Sequence, residues 1–225
     1  MPRVNEEYYE NKRKEILDAA YRVCARKPIT SVTMNDVIAE TGFSHGVIYK
    51  YYKDLDEVIR DLLIRINKSN PFNDDADKIF KECGTGEWES AIRRICDLLA
   101  DNMIKTGIDV LKISLYSNVF AVSEPERAKR IAERLGDDNP SPLLYVINSL
   151  NDYLTKTVKT KKLDPVKPIS DILQFIIVYY GGVENSYVFS ECYNSADPMN
   201  KYDPKKMFSL MADSVILMLK GDMNK

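Results

Sequence analysis

Apolar residues recur at three- and four-residue intervals along this chain, and no stretch alternates with period two as a half-buried strand would. Met34, Val37 and Ile38 share one helical face, and Ile48 and Tyr52, four residues apart, face inward on a second helix. Thr41-Gly42 breaks the two, Gly42 supplying the left-handed residue that ends a helix. Thr33 can cap the first helix, with Asp36 favouring the positive end of its dipole, and Ser44 can cap the second. Asp54 with Glu57 makes a capping pair for a helix through Val58, Leu62 and Ile66 towards Asn70-Pro71. Gly84-Thr85-Gly86 precedes a helix bearing Trp88, Ile92, Ile95, Cys96, Leu99 and Met103, and Gly107 separates it from Val110, Leu111, Leu115 and Val119. Ser123-Glu-Pro-Glu126 predicts a start capped by the serine, and Asn139-Pro140-Ser141-Pro142 predicts another. Lys161 to Pro168 is a basic, proline-bearing linker, before an apolar helix from Ile169 to Cys192 and a last one opened by Asp203-Pro204. The fold class is all-α.

The last two helices are apolar almost all round, which requires burial on more than one side. Gly181-Gly182 lowers helix propensity in mid-helix and suits close approach by another backbone. Both features predict a homodimer through a four-helix bundle, two helices from each chain. Its interface candidates are Ile177, Tyr180, Gly181 and Val188 on one helix and Met211, Val215 and Met218 on the other.

Composition narrows the class. With 44% hydrophobic and 29% charged residues in 225, the chain is neither disordered nor a membrane protein. Its longest apolar run, Ile172 to Val183, is broken by Gln174 and too short for a bilayer. No signal peptide precedes the charged N-terminus, so a cytoplasmic location is expected. Cys24, Cys83, Cys96 and Cys192 lack metal-ligand spacing and are expected to be structural. His45 is the only histidine, which excludes a Ser-His-Asp triad elsewhere and a multi-histidine metal site. No enzyme, cofactor or metal is expected.

The stretch from Thr33 to Leu55 predicts a helix-turn-helix, whose second helix reads double-stranded DNA with its N-terminal part. Tyr49, Lys50 and Thr33 are candidates for phosphates, with Asn35, Ser44 and Lys53 beside them. His45, Gly46 and Val47 are candidates for base edges. Lys12, Arg13 and Lys14 add a basic face. Net charge is only −2: residues 1–68 carry 12 Lys and Arg against 11 Asp and Glu, the remainder 20 against 23. That predicts moderate, salt-sensitive affinity.

KRKEILDAAYRV and VTMNDVIAETGFSHGVIYKYYKDLDEVIRDLL, between about Arg13 and Leu63, resemble the N-terminal domain of the tetracycline-repressor (TetR) family of bacterial transcriptional regulators. The resemblance implies a three-helix head in residues 1–53. A fourth, connecting helix (54–67) would join it to an effector-binding and dimerisation domain within 54–225. It implies a homodimer on a near-palindromic operator, acting as a repressor released by a small hydrophobic or amphipathic effector. Leu55 stands where the family usually has a phosphate-touching lysine. The implied pocket takes Trp88, Ile92, Cys96, Leu99 and Met103 from one helix. Leu111, Leu115, Asn118 and Phe120 would come from the next, with Tyr145, Ile176, Tyr179 and Glu184 beyond. Two alternatives stand beside this reading: a ligand-binding or enzymatic module with a degenerate helix-turn-helix, and a regulator controlled by a protein partner.

Overall fold

The computed structural model describes residues 6–68, 72–135, 140–193 and 202–220, and helix is the only regular secondary structure among them. The helices are α1 (Glu6–Arg26), α2 (Met34–Thr41), α3 (His45–Ile48), α4 (Leu55–Lys68), α5 (Phe72–Cys83) and α6 (Trp88–Thr106). They continue as α7 (Ile108–Ser123), α8 (Pro125–Leu135), α9 (Pro142–Lys159), α10 (Ile169–Tyr193) and α11 (Pro204–Lys220). The chain forms two compact units, residues 1–69 with 112–139, and residues 70–111 with 140–225. The first thus reaches well past position 53, where the sequence suggested a boundary: α4 and residues 112–135 pack with the head.

In the first unit Ile16, Ala20, Val23, Val37, Ile48, Tyr52 and Val58 form one core, to which α7 contributes Ile113. A second cluster joins Ile29 and Ile59 to Phe120 and Ile131. Leu55 packs against both clusters, so the residue standing in place of the family's lysine serves the core and offers no cation to a phosphate. The α4 helix starts on a reciprocal cap: the Glu57 amide donates to Asp54 Oδ1 at 2.9 Å, while Glu57 Oε2 accepts from the Lys53 amide at 2.9 Å. The start of α8 differs from the expectation. Ser123 ends α7, and the Glu124 carbonyl accepts from Arg127 and Ala128, so Glu124 occupies the capping position.

In the second unit α6 packs on α5, α9 and α11, and α10 on α9 and α11. Ser141 caps α9 by accepting from the Leu144 amide at 3.3 Å. Asp203 Oδ1 accepts from the Lys205 amide at 3.0 Å at the start of α11. Helix α5 buries Phe72, Ala76, Ile79 and Cys83 at helical spacing.

Candidate nucleic-acid interface

The helix-turn-helix is fixed by local chemistry. Thr33 Oγ1 accepts from the Asp36 amide at 3.2 Å, and Asp36 Oδ2 accepts from the Thr33 amide and hydroxyl, each at 2.7 Å. This is a complete capping box. Lys27 Nζ reaches the same carboxylate at 2.8 Å. Its hydrogen bond, then those from Thr33, hold the Asp36 carboxyl down at about 2. The Thr33 hydroxyl proton is therefore committed to Asp36, and a phosphate would meet this hydroxyl as an acceptor. Gly42 closes α2 at φ 69 with its amide donating to Ile38 O at 3.1 Å.

The second helix is shorter than its pattern suggested. After one α-turn, His45–Ile48, the Lys50 and Tyr51 amides bond three residues back, to Val47 O (3.2 Å) and Ile48 O (2.9 Å). Ile48 and Tyr52 are the buried anchors, at 0% and 1% exposure. Asn35, Ser44, His45, Gly46, Tyr49, Lys50 and Lys53 are exposed, and Val47 is half-buried. Ser44 sits at the capping position without a side-chain bond to the helix, which leaves its hydroxyl for an outside partner. Among the described residues, a Cβ added at Gly46 would meet no neighbouring side chain or backbone within 4 Å. Internal packing gives no reason for a glycine there.

The expected basic face at 12–14 is largely internal. Arg13 donates to Asp61 and, at 3.3 Å, to Tyr51 O, and lies 4.6 Å from the centre of the Tyr52 ring. Lys12 bonds Glu15 at 2.9 Å and lies 4.5 Å from the Phe43 ring centre. Lys14 alone of the three is exposed. The pairing could not be read locally, because Asp61 is 48 residues away from Arg13.

Residues 16–62 match the profile of bacterial regulatory proteins, tetR family. A helix-turn-helix-type transcriptional regulator of Bacillus subtilis (strain 168), YfiR, is 24% identical over 191 residues, covering 84% of this chain and 87% of its own. The chain carries the N-terminal domain of the tetR family in residues 16–62. It is a DNA-binding transcriptional regulator with a helix-turn-helix head. Solved structures agree in fold. A TetR-family transcriptional regulator from Rhodococcus sp. superposes with TM-score 0.61 at 17% identity, over 92% of this chain and 99% of its own. GusR of Salmonella enterica gives 0.55 at 13%, over 93% and 98%.

The effector residues suggested by the TetR resemblance are divided between the two compact units. Trp88, Ile92, Cys96, Leu99 and Met103 form the buried face of α6. Ile92, Cys96, Leu99 and Ile176 border a void with Ile95, Val146, Leu150, Met211 and Val215, but its volume is about 10 Å³. That is room for one water at most, in a wholly apolar lining. Phe120 belongs to the cluster with Ile29 and Ile59 in the first unit, where Leu115 is half-buried and Asn118 exposed. Leu111 is buried in the other unit. Tyr145 donates to Asp77 at 2.7 Å on the surface, and Tyr179 to Met207 O at 3.0 Å. Glu184 is buried at 7% exposure. Its charge, after burial itself, helps raise the Tyr180 phenol far above its ordinary range.

The seven interface residues divide. Met211, Val215, Val188 and Tyr180 lie in the chain's own core, because α11 turns them towards α6 and α10 turns its share inward. Ile177 is 45% exposed, and Gly181 and Met218 are half-buried. The outward apolar row instead adds Val178, Phe189 and Tyr193 of α10 and Leu210 and Leu217 of α11. Among the described residues, no neighbouring group lies within 4 Å of a Cβ built at Gly181 or Gly182.

Proposed function

We propose that the protein is a cytoplasmic repressor that binds a near-palindromic operator as a homodimer and is released by a hydrophobic or amphipathic effector. The observation carrying the DNA reading is the outer face of α3. There Ser44, His45, Gly46, Tyr49 and Lys50 are exposed around two buried anchors, and Gly46 leaves space that no described residue uses. Tyr49, Lys50 and Lys53 hold phosphates, while His45, Gly46 and Val47 approach bases. Titrating duplexes from the gene's upstream region at several salt concentrations tests this. Binding unaltered by Tyr49→Phe, Lys50→Ala and Val47→Ala together would remove this face from DNA recognition.

The outward row on α10 and α11 is the proposed dimer face, supported by its exposed apolar side chains and by the open space at Gly181 and Gly182. Two heads so joined meet half-sites about 34–36 Å apart, or a multiple of one DNA turn.

The void beside Ile92 and Ile176 is about 10 Å³, against roughly 300 Å³ or more for a usual ligand site. An effector taken up at this void selects an expanded conformer, in which α6, α9, α10 and α11 separate around Ile92 and Ile176. Linkage requires DNA to weaken effector binding by the same factor as effector weakens DNA binding. A compound that stabilises the protein but leaves operator affinity unchanged is not this effector. A second reading, control by a protein partner at the surface, is favoured by exposed Lys156, Lys159, Lys161, Lys162 and Lys167 at the end of α9.

A further inference from the structure

Helix α9 ends in a geometry that glycine ordinarily supplies. The Lys162 amide donates to Thr157 O at 3.2 Å and the Lys161 amide to Val158 O at 2.9 Å, the paired bonds of a Schellman closure. Lys161 holds the left-handed position at φ 57, the only non-glycine residue with positive φ among the described residues. A side chain is strained there relative to glycine, and such strain points to a role for the side chain itself.

Lys156, Lys159, Lys162 and Lys167 surround it, all exposed. None of the five forms an ion pair within the described residues, although the same unit pairs Arg93 with Asp213, Arg94 with Glu82, Lys205 with Asp101 and Lys220 with Glu89. The dipole of α9 accounts for Lys156 and Lys159 in its last turn. It does not account for Lys167, and at position 161 glycine would serve the turn better. The loop is tied down by buried Leu163 and by the Lys167 amide, which donates to Met218 O at 3.2 Å. Val158, Lys161, Lys162, Leu163 and Asp164 border an open depression of about 370 Å³, and Val166 beside them is 58% exposed.

We propose that this loop docks an acidic protein segment carrying an aliphatic or aromatic side chain. Its carboxylates meet the lysines, and its apolar group rests on half-buried Val158 and exposed Val166. A nucleic-acid backbone fits less well: it leaves Val158 and Val166 without a partner and places phosphates against Asp164. The proposal rests on the second reading above, control through a protein partner, and names the surface and the partner's chemistry.

The test uses the full-length protein with three probes: a glutamate–tyrosine random copolymer, polyglutamate, and duplex DNA lacking the operator. The copolymer should bind more tightly than polyglutamate. Lys161→Gly and the double variant Lys161→Gln/Lys162→Gln should each weaken it, the double by roughly tenfold. Thermal melts accompany both, and Lys161→Gly, which relieves the strained turn, should melt no lower than wild type. Unchanged copolymer affinity in both variants overturns the proposal. So does polyglutamate binding as tightly as the copolymer, or duplex DNA proving the probe that these substitutions weaken. Copolymer bound through the loop with operator affinity unmoved keeps the surface and ends the reading that control passes through it.

Discussion

Arg127 donates to Asp56 Oδ1 through Nε at 2.7 Å and Nη2 at 2.6 Å, fastening α8 to the first turn of α4. The same guanidinium bonds Glu124 at 3.0 Å and lies 5.3 Å from the centre of the Phe120 ring. A segment distant in sequence thus holds the helix that follows the DNA-reading turn. Both side chains are about a quarter exposed, so solvent weakens the pair without cancelling it. Arg127→Met should lower the unfolding free energy of this unit by about 1–2 kcal/mol. Urea melts of Arg127→Met, Asp56→Asn and the double variant measure the coupling, and strictly additive losses would deny it.

Gly46→Ala separates folding from recognition. With open space at its Cβ, alanine should leave stability unchanged or raise it by up to about 1 kcal/mol through helix propensity. Operator affinity should nevertheless fall, since a methyl group then stands between backbone and base edges. Paired thermal melts and operator titrations check this, and unaltered affinity would place Gly46 away from the DNA.

Acid should loosen α2 through Asp36. The carboxyl lies near 2 when folded, below its ordinary 3.8, so its contribution is fully present above the unfolded value. It is lost as pH falls from about 3.8 towards 2. Asp36→Asn should flatten that part of the stability profile followed by circular dichroism, and an unchanged slope would assign the acid sensitivity elsewhere. Thr33→Ala, removing the cap, should cost about 0.5–2 kcal/mol at neutral pH.

Charges on the two faces of α10 and α11 should behave oppositely. Val178→Glu and Leu217→Glu, at positions 68% and 59% exposed, should yield folded monomers in sedimentation. Met211→Asp and Val215→Asp, at positions fully buried within one chain, should fail to fold, each burying an unpaired charge that costs several kcal/mol. Val178→Glu and Leu217→Glu proteins that remained dimeric would reject the outward row as the interface.

The parts legible in the sequence are those whose physics is local. The Thr33–Asp36 box, the left-handed Gly42 and the Asp203 start of α11 each need only residues within a turn of one another. Arg13 was opaque for the opposite reason, since its neighbours look like a solvated basic run and only the folded chain brings Asp61 to it. The apolar circumference of α10 and α11 signalled two buried sides, but periodicity cannot say which side meets the chain's own core. Helix α5 begins at Phe72, after the predicted break at Asn70-Pro71, and its Phe72–Ala76–Ile79–Cys83 stripe was the available signal. The recruitment of α8 to the head had no local signature, because Arg127 and Asp56 stand 71 positions apart.

The cysteines divide between the two units in a way that makes each unit its own clock. Cys24 lies in the core of the first and Cys96 in that of the second, and burial raises their thiols to about 11 and about 12. Near neutral pH neither offers a thiolate to an alkylating reagent until its surroundings open. With exposed Cys192 replaced by serine and Cys83 by alanine, the modification rate at Cys24 reports the opening of the head and that at Cys96 the opening of the body, separately and under native conditions. Adding operator DNA should slow the first clock, and whether the second slows with it gives the energetic distance between reading DNA and receiving a signal.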